Sequence, residues 1–393
     1  MTSETEAIAA VLARVQLLPG ARVPLIESLG RFSAHDLWAQ RALPPFDNSA
    51  MDGYAVQAKS CRGGARLRVI GEQPAGVDRG LTMGAAEAIR IFTGARLPAG
   101  ADAVIMQEEV MREGDVIVAR CDVESGEFIR RQGCDLAAGQ KILAGGDQIV
   151  AQNIGLLAAQ GMAEIDVGAL PRVAIVSTGD ELARAGAIPL PGQVFESNSV
   201  MLHALALGAS AKVVMVEQAP DALEQLTETL RHGLECDALI VSGGVSVGEH
   251  DLVRPSLGAL GAEIALWRVA IKPGKPFLFG RAHGCSIFGL PGNPVSAFVT
   301  FLKFVRPALR KMAGASGENL GLRAVPAQIA SDLSNAGDRS HYFRGILREG
   351  QFIPSGLQES HALFGLSRAN ALLRLAPGDQ LLRGAPVMIE TWD

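Results

Sequence analysis

Short apolar runs alternate with helical segments between Pro171 and about residue 314, and this alternation constrains the fold more than any other feature. The runs RVAIV, AKVVMVEQ, DALIV and SIFG are rich in valine and isoleucine, and segments such as NSVMLHALALGA and DALEQLTETLRHGL lie between them. Strands joined through helices need crossover connections, so the strands lie parallel and helices cover both faces of the sheet. The sequence therefore predicts a mostly parallel, doubly covered α/β domain that closes with a long helix in VSAFVTFLKFVRPALRKMAG.

The sequence on either side of this domain follows other patterns. Amphipathic stretches before and after Pro24 predict two helices in the first forty residues. Short β runs between glycine-rich turns follow, and further β runs after residue 314 predict a small barrel or sandwich. The predicted fold class is α/β plus β in a multidomain chain, with a helical or mixed N-terminal domain, a small β module, the α/β domain and a C-terminal β-barrel-like domain. The predicted domain boundaries are 1–43 with 133–168, 44–132, 169–314 and 315–393.

Charge and composition exclude several classes of partner. The 393 residues include 36 lysines and arginines against 41 aspartates and glutamates, and 5% are aromatic. The chain thus lacks the basic footprint and the stacking rings of a nucleic-acid binder. No apolar run approaches the roughly 18 residues of a membrane span, and the first residues are acidic where a signal peptide is basic. Five scattered cysteines without a C-x-x-C pair fit a reducing compartment. We therefore expect a cytoplasmic protein without nucleic-acid or membrane partners.

Three unusual loops follow apolar runs of the α/β domain. They are Ser177–Glu181 (STGDE), Ser242–Asp251 (SGGVSVGEHD) and Leu290–Pro294 (LPGNP). Ligands of open α/β sheets bind beyond the carboxyl ends of the strands, and glycines let a backbone approach an anion closely. Carboxylates in two of these loops suit a hard cation such as Mg²⁺ or another divalent ion. The loops therefore predict one rim that binds an anionic ligand together with a metal.

A proline-framed basic segment, Lys272 to Pro276 (KPGKP), follows Arg268 and can hold an oxyanion if it lines a cleft. Familiar nucleotide motifs are absent, since no Walker A loop or G-x-G-x-x-G sequence occurs. Gly244 to Gly248 does match the G-x-S-x-G nucleophile elbow. That elbow needs a strand, a sharp turn and a helix in direct succession, whereas Ser246 lies several residues beyond the apolar run. A serine hydrolase is therefore disfavoured.

Seven motifs in order resemble the MoeA family of molybdopterin molybdenumtransferases, which is related to the E domain of gephyrin. They are NSAMDGYAV, IFTGARLPAGADAVIMQEEV, STGDEL, ESNSVML, SGGVSVGEHD, KPGKPFLFG and LPGNPVSAFVTF. The resemblance implies insertion of molybdate into adenylylated molybdopterin, with release of AMP that depends on a divalent cation. It also implies a homodimer of four-domain subunits with the active site at the subunit interface. Molybdopterin adenylyltransferase and molybdoenzymes are the further partners that it implies.

The resemblance also assigns roles to individual residues. The implied catalytic residues are Asp52, Glu181, Asp221, Asp251, Lys272 and Lys275. The implied substrate-binding residues are Thr93, Ser242, Gly243, Gly244, Ser246, Arg268, Pro291, Gly292, Asn293, Pro294, Arg344 and Ser360. The implied metal ligands are Asp251, Glu181 and the neighbouring Glu249. Arg268 departs from the family, in which lysine is frequent at this position.

Structural alternatives stay open for several of these residues. Asp52 can cap its own turn, Glu181 can be an acid in the first turn of a helix, and Asp221 with Glu224 can form a capping pair. Two other functions also stay open, an adenylyltransferase of the same pathway and a non-catalytic scaffold that binds pterin or proteins.

Overall fold

The computed structural model describes residues 1–245 and 251–392. It forms two compact units. One unit comprises Met1–His35, Ala144–Ala158 and Met162–Asp393, and the other comprises Asp36–Leu143 with Ala159–Gly161. The α-helices are α1 (Glu4–Arg14), α2 (Ala151–Ala159), α3 (Asn198–Gly208), α4 (Leu223–Gly233), α5 (Val253–Ala259), α6 (Pro294–Thr300), α7 (Arg306–Met312) and α8 (Leu363–Ser367). In the described part of the chain, no helix is both long and apolar enough to cross a bilayer.

The larger unit is built around a mixed sheet, which has six strands in the described residues. In chain order the strands are β1 (Arg172–Thr178), β2 (Lys212–Ala219), β3 (Ala238–Ser242), β4 (Glu263–Trp267), β5 (Leu278–Ala282) and β6 (Cys285–Leu290). Their spatial order is β2-β1-β3-β6-β5-β4, and the first four are parallel. The antiparallel strands β5 and β4 extend the sheet beyond β6. The predicted mostly parallel sheet is confirmed, whereas β4 and β5 were not predicted.

Two apolar layers cover the faces of this sheet, as the crossover connections require. On one face, α3 and the α6–α7 region pack against β1 and β3, with Ile175 and Ile240 fully buried between them. On the other face, α4 and α5 pack through Leu226, Leu230 and Leu257. The interior strands β1 and β3 are therefore apolar on both sides, because neither face meets water.

The closing helix is confirmed, with an irregularity in its middle. It runs through α6, a π-helical turn at Phe301–Val305 and α7. Pro307 has no N–H to donate to the preceding turn, which explains why the regular pattern breaks there. The predicted helix after Pro24 is wrong. A 3₁₀ turn, Leu25–Glu27, takes its place. The residues that follow form isolated β-bridges, for example Phe32 with Gln148.

The C-terminal region forms a closed barrel, as predicted. Five strands close on one another in the described residues, and Ile271–Lys272 adds to Ser340–Arg348 from outside the ring. The ring follows the order Ser340–Arg348, Gln351–Pro354, Arg323–Ile329, Pro386–Thr391 and Ala371–Leu375. Closure pairs every edge of the sheet, and it places the segment 271–272 beside the barrel.

The smaller unit contains its own mixed sheet, again six-stranded in the part of the chain that is described. Its spatial order is Ala103–Met106, Gly53–Val56, Glu87–Ile91, Arg66–Gln73, Val116–Ala119 and Val110–Glu113. Two-stranded pairs complete the structure of both units. They are Ala21–Pro24 with Glu164–Val167, Leu37–Trp38 with Lys141–Leu143, Asn48–Ser49 with Ile129–Arg130, Leu182–Ala183 with Val194–Phe195, and Leu333–Ser334 with Gln380–Leu381.

Candidate active site at the rim of the α/β sheet

A cavity of about 790 Å³ lies at the carboxyl ends of β1, β3 and β6. The loops after these strands contribute Gly179, Gly243 and Pro291 to its wall. Parallel strands end at the same edge of a sheet, so loops that are far apart in sequence converge there. The volume lies within the range of small-molecule and cofactor sites. The predicted convergence of the three loops is therefore observed.

The glycine loop after β3 needs its glycines for steric reasons. Gly243 has a φ of +95°, and a Cβ there would lie 2.6 Å from the carbonyl oxygen of Thr178. Gly244 has a φ of +60°, and its Cβ would meet the side chain of Val253 at 2.9 Å. Any larger residue would push this loop away from β1, so the backbone at the cavity wall depends on both glycines.

Asp221 lies at the cavity and does not cap α4. Its Oδ1 accepts a hydrogen bond of 2.6 Å from the Thr178 hydroxyl, and its backbone N–H donates to Asp180 Oδ1 at 3.1 Å. Residue 222 occupies the N-cap position of α4 without a side-chain cap bond. The capping-pair interpretation is therefore wrong. Thr178, the last residue of β1, holds the Asp221 carboxylate at the rim, and Asp180 holds the Asp221 backbone.

Glu181 and Asp251 also line the cavity. Glu181 precedes the short strand Leu182–Ala183, so the interpretation as an acid in a helix's first turn is wrong. Within residues 1–245 and 251–392, no three histidine, cysteine, aspartate or glutamate side chains form a metal cluster. Ser246 and Glu249 lie outside the described residues. Mg²⁺ commonly uses one or two carboxylates together with substrate phosphates, and the described carboxylates fit that pattern.

Asn198, which begins α3, was not among the predicted site residues. Its Nδ2 donates to Ser242 Oγ at 2.9 Å and to the Gly292 carbonyl at 2.7 Å, so one amide joins the loops after β3 and β6. Asn198 Oδ1 and the Ser177 hydroxyl are buried and have no hydrogen-bond partner among the described residues. Buried polar groups are nearly always paired in folded proteins. These two atoms therefore mark the wall as suited to a polar ligand.

The loop after β6 is tied to the C-terminal region. Asn293 Nδ2 donates to Ser360 Oγ at 3.0 Å, and the N–H of Val295 donates to the Ser360 carbonyl at 3.1 Å. Pro294 occupies the first turn of α6, where its missing N–H costs no hydrogen bond. Ser360 thus acts on the loop that carries Pro291 and Gly292 and is not itself part of the cavity wall.

The predicted cations do not join this wall. The described lining contains Glu181, Glu196, Asp221 and Asp251, and no lysine or arginine. Pro276 of the basic segment does line the cavity, whereas Lys272 and Lys275 are exposed beside it. Arg268 packs on the Trp267 ring, 4.2 Å from its centroid. The observed wall is acidic, which favours a cation over a free oxyanion at this point.

Arg344 lies beyond the basic segment and is fully buried in the barrel strand Ser340–Arg348. Its backbone N–H donates to Gln358 Oε1 at 2.9 Å, and one guanidinium nitrogen donates to the Leu357 carbonyl. Nε and Nη1 have no partner in the described chain. Burial lowers the pKa of this guanidinium, and the charge of Glu359 opposes that effect. A buried cation with unpaired donors fits an anionic ligand.

Asp52 and Thr93 meet within the smaller unit. Asp52 Oδ1 accepts hydrogen bonds from the Thr93 N–H at 2.8 Å and from the Thr93 hydroxyl at 2.7 Å. These bonds, helped by the charge of Arg90, hold the pKa of the Asp52 carboxyl below its usual value. These hydrogen bonds join residues that are 41 positions apart in the sequence. An aspartate that caps its own turn would instead bond to a neighbour in the sequence. The exposed carboxylate keeps a fixed direction and stays ionised at neutral pH.

The fold and the cavity define a multidomain protein whose open α/β sheet carries a cavity with a polar wall at its carboxyl edge. Three family profiles match in order, the MoeA N-terminal region (domain I and II) at residues 2–161, the "Probable molybdopterin binding domain" at 174–311 and the MoeA C-terminal region (domain IV) at 326–392. The chain therefore belongs to the MoeA family of molybdopterin molybdenumtransferases, as the resemblance of its motifs predicted.

Individual relatives agree with this assignment. Molybdopterin molybdenumtransferase 2 of Mycobacterium tuberculosis is 39% identical over 363 residues, which cover 88% of this chain and 89% of the relative. The molybdopterin molybdenumtransferase of a Nostoc species is 35% identical and covers 86% of this chain and 81% of its own. The crystal structure of the molybdopterin biosynthesis MoeA protein from Pyrococcus horikoshii superimposes with a TM-score of 0.85 at 30% identity, over the whole of both chains.

Proposed function

We propose that this protein inserts molybdate into adenylylated molybdopterin and releases AMP in a reaction that depends on a divalent cation. The observation that carries the proposal is the cavity at which the loops after β1, β3 and β6 meet, in a chain that matches three family profiles in order. An adenylyltransferase needs only the α/β domain, so matches to the N- and C-terminal regions disfavour that alternative.

The acidic wall supports the expected need for a cation. Glu181 and Asp251 are the described carboxylates that would hold Mg²⁺ or another divalent ion, and Glu249 is a further expected ligand. The bound ion would supply Lewis-acid polarisation of the phosphoanhydride. Asp221, fixed by Thr178, keeps its charge directed into the same cavity. Without a counter-cation, these carboxylates would repel a ligand that carries phosphates.

The chain's own groups position the nucleotide-linked pterin. The backbone of Gly243 and Gly244 offers close approach for a phosphate, and Asn198 holds the loops after β3 and β6 in register. Buried Asn198 Oδ1 accepts from ligand N–H groups, and the Ser177 hydroxyl both donates and accepts. A pterin carries both kinds of polar group on its ring edge, so the wall suits it.

Molybdate belongs on the basic side of the cavity in this proposal. Lys272 and Lys275 belong to the segment whose Pro276 lines the wall. Arg344 lies on the barrel strand that pairs with Ile271–Lys272, and two of its buried guanidinium nitrogens have no partner among the described residues. Because these basic side chains are separate from the carboxylates of the wall, molybdate and the metal ion would bind at different positions. Anhydride cleavage, release of AMP and transfer of molybdate to the dithiolene sulfurs are then coupled.

The direct test is release of AMP by the purified protein. Adenylylated molybdopterin, molybdate and Mg²⁺ should give AMP in amounts that chelation abolishes and that Asp221→Asn lowers strongly. Arg231→Gln, a charge change on the exposed face of α4, is the matched control and should release AMP at the normal rate. Absence of AMP release from the wild-type protein would refute the transferase and favour a scaffold. Robust pyrophosphate release from ATP and metal-free pterin would instead indicate an adenylyltransferase.

A second test addresses the homodimer, which is part of the proposal. If Asp52 of one subunit completes the site of the other, mixing Asp52→Ala subunits with Lys272→Ala subunits restores one working site per mixed dimer. Each single variant should be inactive by itself. A mixture that stays inactive, although mixed dimers have formed by mass spectrometry, would contradict the shared site.

A further inference from the structure

Asp52 lies at an edge of the smaller unit's sheet where three strands meet. It immediately precedes the strand Gly53–Val56, which pairs antiparallel with Glu87–Ile91 on one side and with Ala103–Met106 on the other. Gly53 is opposite the last residue of each neighbouring strand. Both neighbours therefore end beside Asp52, and side chains near these ends can contact its backbone.

Arg90 is connected to two successive carbonyl groups at this edge. Its Nη1 donates to the Gly53 carbonyl at 3.3 Å, and its Nη2 donates to the side-chain oxygen of Gln107. The backbone N–H of Gln107 in turn donates to the Asp52 carbonyl at 3.1 Å. A Cβ at Gly53 would lie 2.0 Å from the Ile105 carbonyl oxygen, so this segment packs closely against its neighbour. Arg90 thus restrains the backbone that carries Asp52, both directly and through Gln107.

Two aromatic rings hold the Arg90 guanidinium in place. Its central carbon lies 5.0 Å from the Tyr54 ring centroid and 5.1 Å from that of Phe92, within the range of cation–π attraction. Tyr54 is 4% exposed and belongs to an apolar core of the smaller unit, so its ring has a fixed position. A planar guanidinium stacks on rings and donates in its own plane at the same time, which an ammonium group cannot do. The two rings therefore support the orientation that the hydrogen bonds of Arg90 require.

The charge of Arg90 also acts on the Asp52 carboxylate. The Gly53 carbonyl and the Gln107 amide oxygen, which accept hydrogen bonds from Arg90, are both neutral. These bonds therefore leave the positive charge of the guanidinium uncancelled. After the two hydrogen bonds from Thr93, this charge further lowers the pKa of the Asp52 carboxyl. Arg90 thus affects both the backbone position and the ionisation of Asp52.

We propose that Arg90 is a positioning residue that acts through Asp52. Thr93 holds the carboxylate oxygen, whereas Arg90 holds the backbone that carries it and adds a positive charge to its surroundings. Together they keep the carboxylate ionised and pointing in one direction, as a group that takes part in a reaction requires. Arg90 itself touches no substrate in this scheme. The inference rests on the proposed transferase function for the reaction that Asp52 serves.

The first measurement is the ionisation of Asp52, which does not depend on turnover. A carbon-13 NMR titration of the aspartate carboxyl groups in the full-length protein gives the pKa of Asp52, and Asp52→Asn identifies its signal. Arg90→Gln should raise this pKa toward its usual value, because a nearby positive charge is lost. Arg90→Lys keeps the charge and should leave the pKa low. The matched control is Arg68→Gln on the adjacent strand Arg66–Gln73, where Arg68 pairs with Glu87 at 2.7 Å, and it should leave the pKa of Asp52 unchanged.

The second measurement is the rate of AMP release by the same variants. Arg90→Gln should lower kcat about tenfold and leave KM for adenylylated molybdopterin unchanged, because Asp52 is less well oriented while the contacts of the cavity wall stay intact. Arg90→Lys cannot make both hydrogen bonds and both ring contacts, so it should lower kcat about threefold. Arg68→Gln should release AMP at the wild-type rate.

The two measurements separate this inference from the transferase itself. An unchanged pKa of Asp52 in folded Arg90→Gln overturns the proposal, and so does an unchanged kcat. If the melting temperature shows that Arg90→Gln does not fold, Arg90→Lys takes its place, and a wild-type kcat in that variant overturns the proposal. Absence of AMP release from the wild-type protein would instead refute the transferase, and the titration of Asp52 would then decide whether Arg90 acts on this carboxylate.

Discussion

His341 should make this protein lose stability in weak acid. The side chain is 7% exposed in the barrel strand Ser340–Arg348, its ring centroid lies 4.0 Å from that of Phe343, and it pairs in register with Lys272. Burial, followed by the charges of Lys272, Arg344 and Arg339, lowers the pKa of His341 from its usual 6.5 to about 4. Its Nε2 has no partner in the described residues, so protonation gains no hydrogen bond there.

The sign and size of the effect follow from these two pKa values. Between about pH 6.5 and pH 4 the unfolded chain binds a proton at this position and the folded chain does not. The free energy of unfolding is therefore unaffected above about pH 7 and falls as the pH drops through this window. At about pH 5 the loss amounts to roughly 2 kcal/mol, and it approaches about 3 kcal/mol near pH 4.

The assay is urea unfolding of the wild-type protein and of His341→Gln across this pH range. The variant lacks the imidazole, so the difference in unfolding free energy between the two proteins should shift by about 2 kcal/mol, in favour of the variant, between about pH 8 and pH 5. His232→Gln, at an exposed position of α4, is the matched control for removing one histidine. A constant difference between wild type and His341→Gln, or an NMR titration of His341 with a midpoint near its usual value, would refute the reasoning.

Three further changes test the wall of the cavity. Thr178→Val removes the 2.6 Å hydrogen bond to Asp221. It should lower AMP release about tenfold with little change in melting temperature, because the Asp221 carboxylate is no longer held in a fixed orientation. Unchanged kinetics would contradict the role of this contact. Gly243→Ala should weaken AMP binding in calorimetry, since its Cβ would lie 2.6 Å from a carbonyl oxygen, whereas normal affinity would show that the loop can move. Asn198→Ala should reduce the free energy of unfolding by about 1–3 kcal/mol, measured in urea, and no loss would show that its two bonds are replaced.

The local sequence pattern was sufficient to predict the central strands of the α/β domain. Strands β1, β2, β3 and β6 were predicted because their valine- and isoleucine-rich runs are bounded by turns and separated by helices. Strands β4 and β5 were missed because EIALW and LFGRA flank the proline-rich basic segment and have no crossover helix between them. They belong to the sheet only through antiparallel pairing with β6 and with each other.

Some residues of the candidate site could likewise be predicted from the local sequence, and others could not. Glycine-rich loops and the carboxylates Glu181, Asp221 and Asp251 could be found from their position after apolar runs. Asn198 could not, because it is an ordinary first residue of a helix until the fold places its amide between two rim loops. The roles assigned to the site residues and the four-domain boundaries stay predictions.

The sequence by itself determined which segments become strands and helices, which loops are rich in glycine, and which family the motifs resemble. Only the tertiary structure decided that the wall of the cavity is acidic and that the basic residues stand beside it. The physical reason is that periodicity and turn chemistry act between residues close in sequence. The electrostatic character of a cavity instead depends on which distant loops meet, and on whether each charged side chain points into the cleft or onto a neighbouring ring.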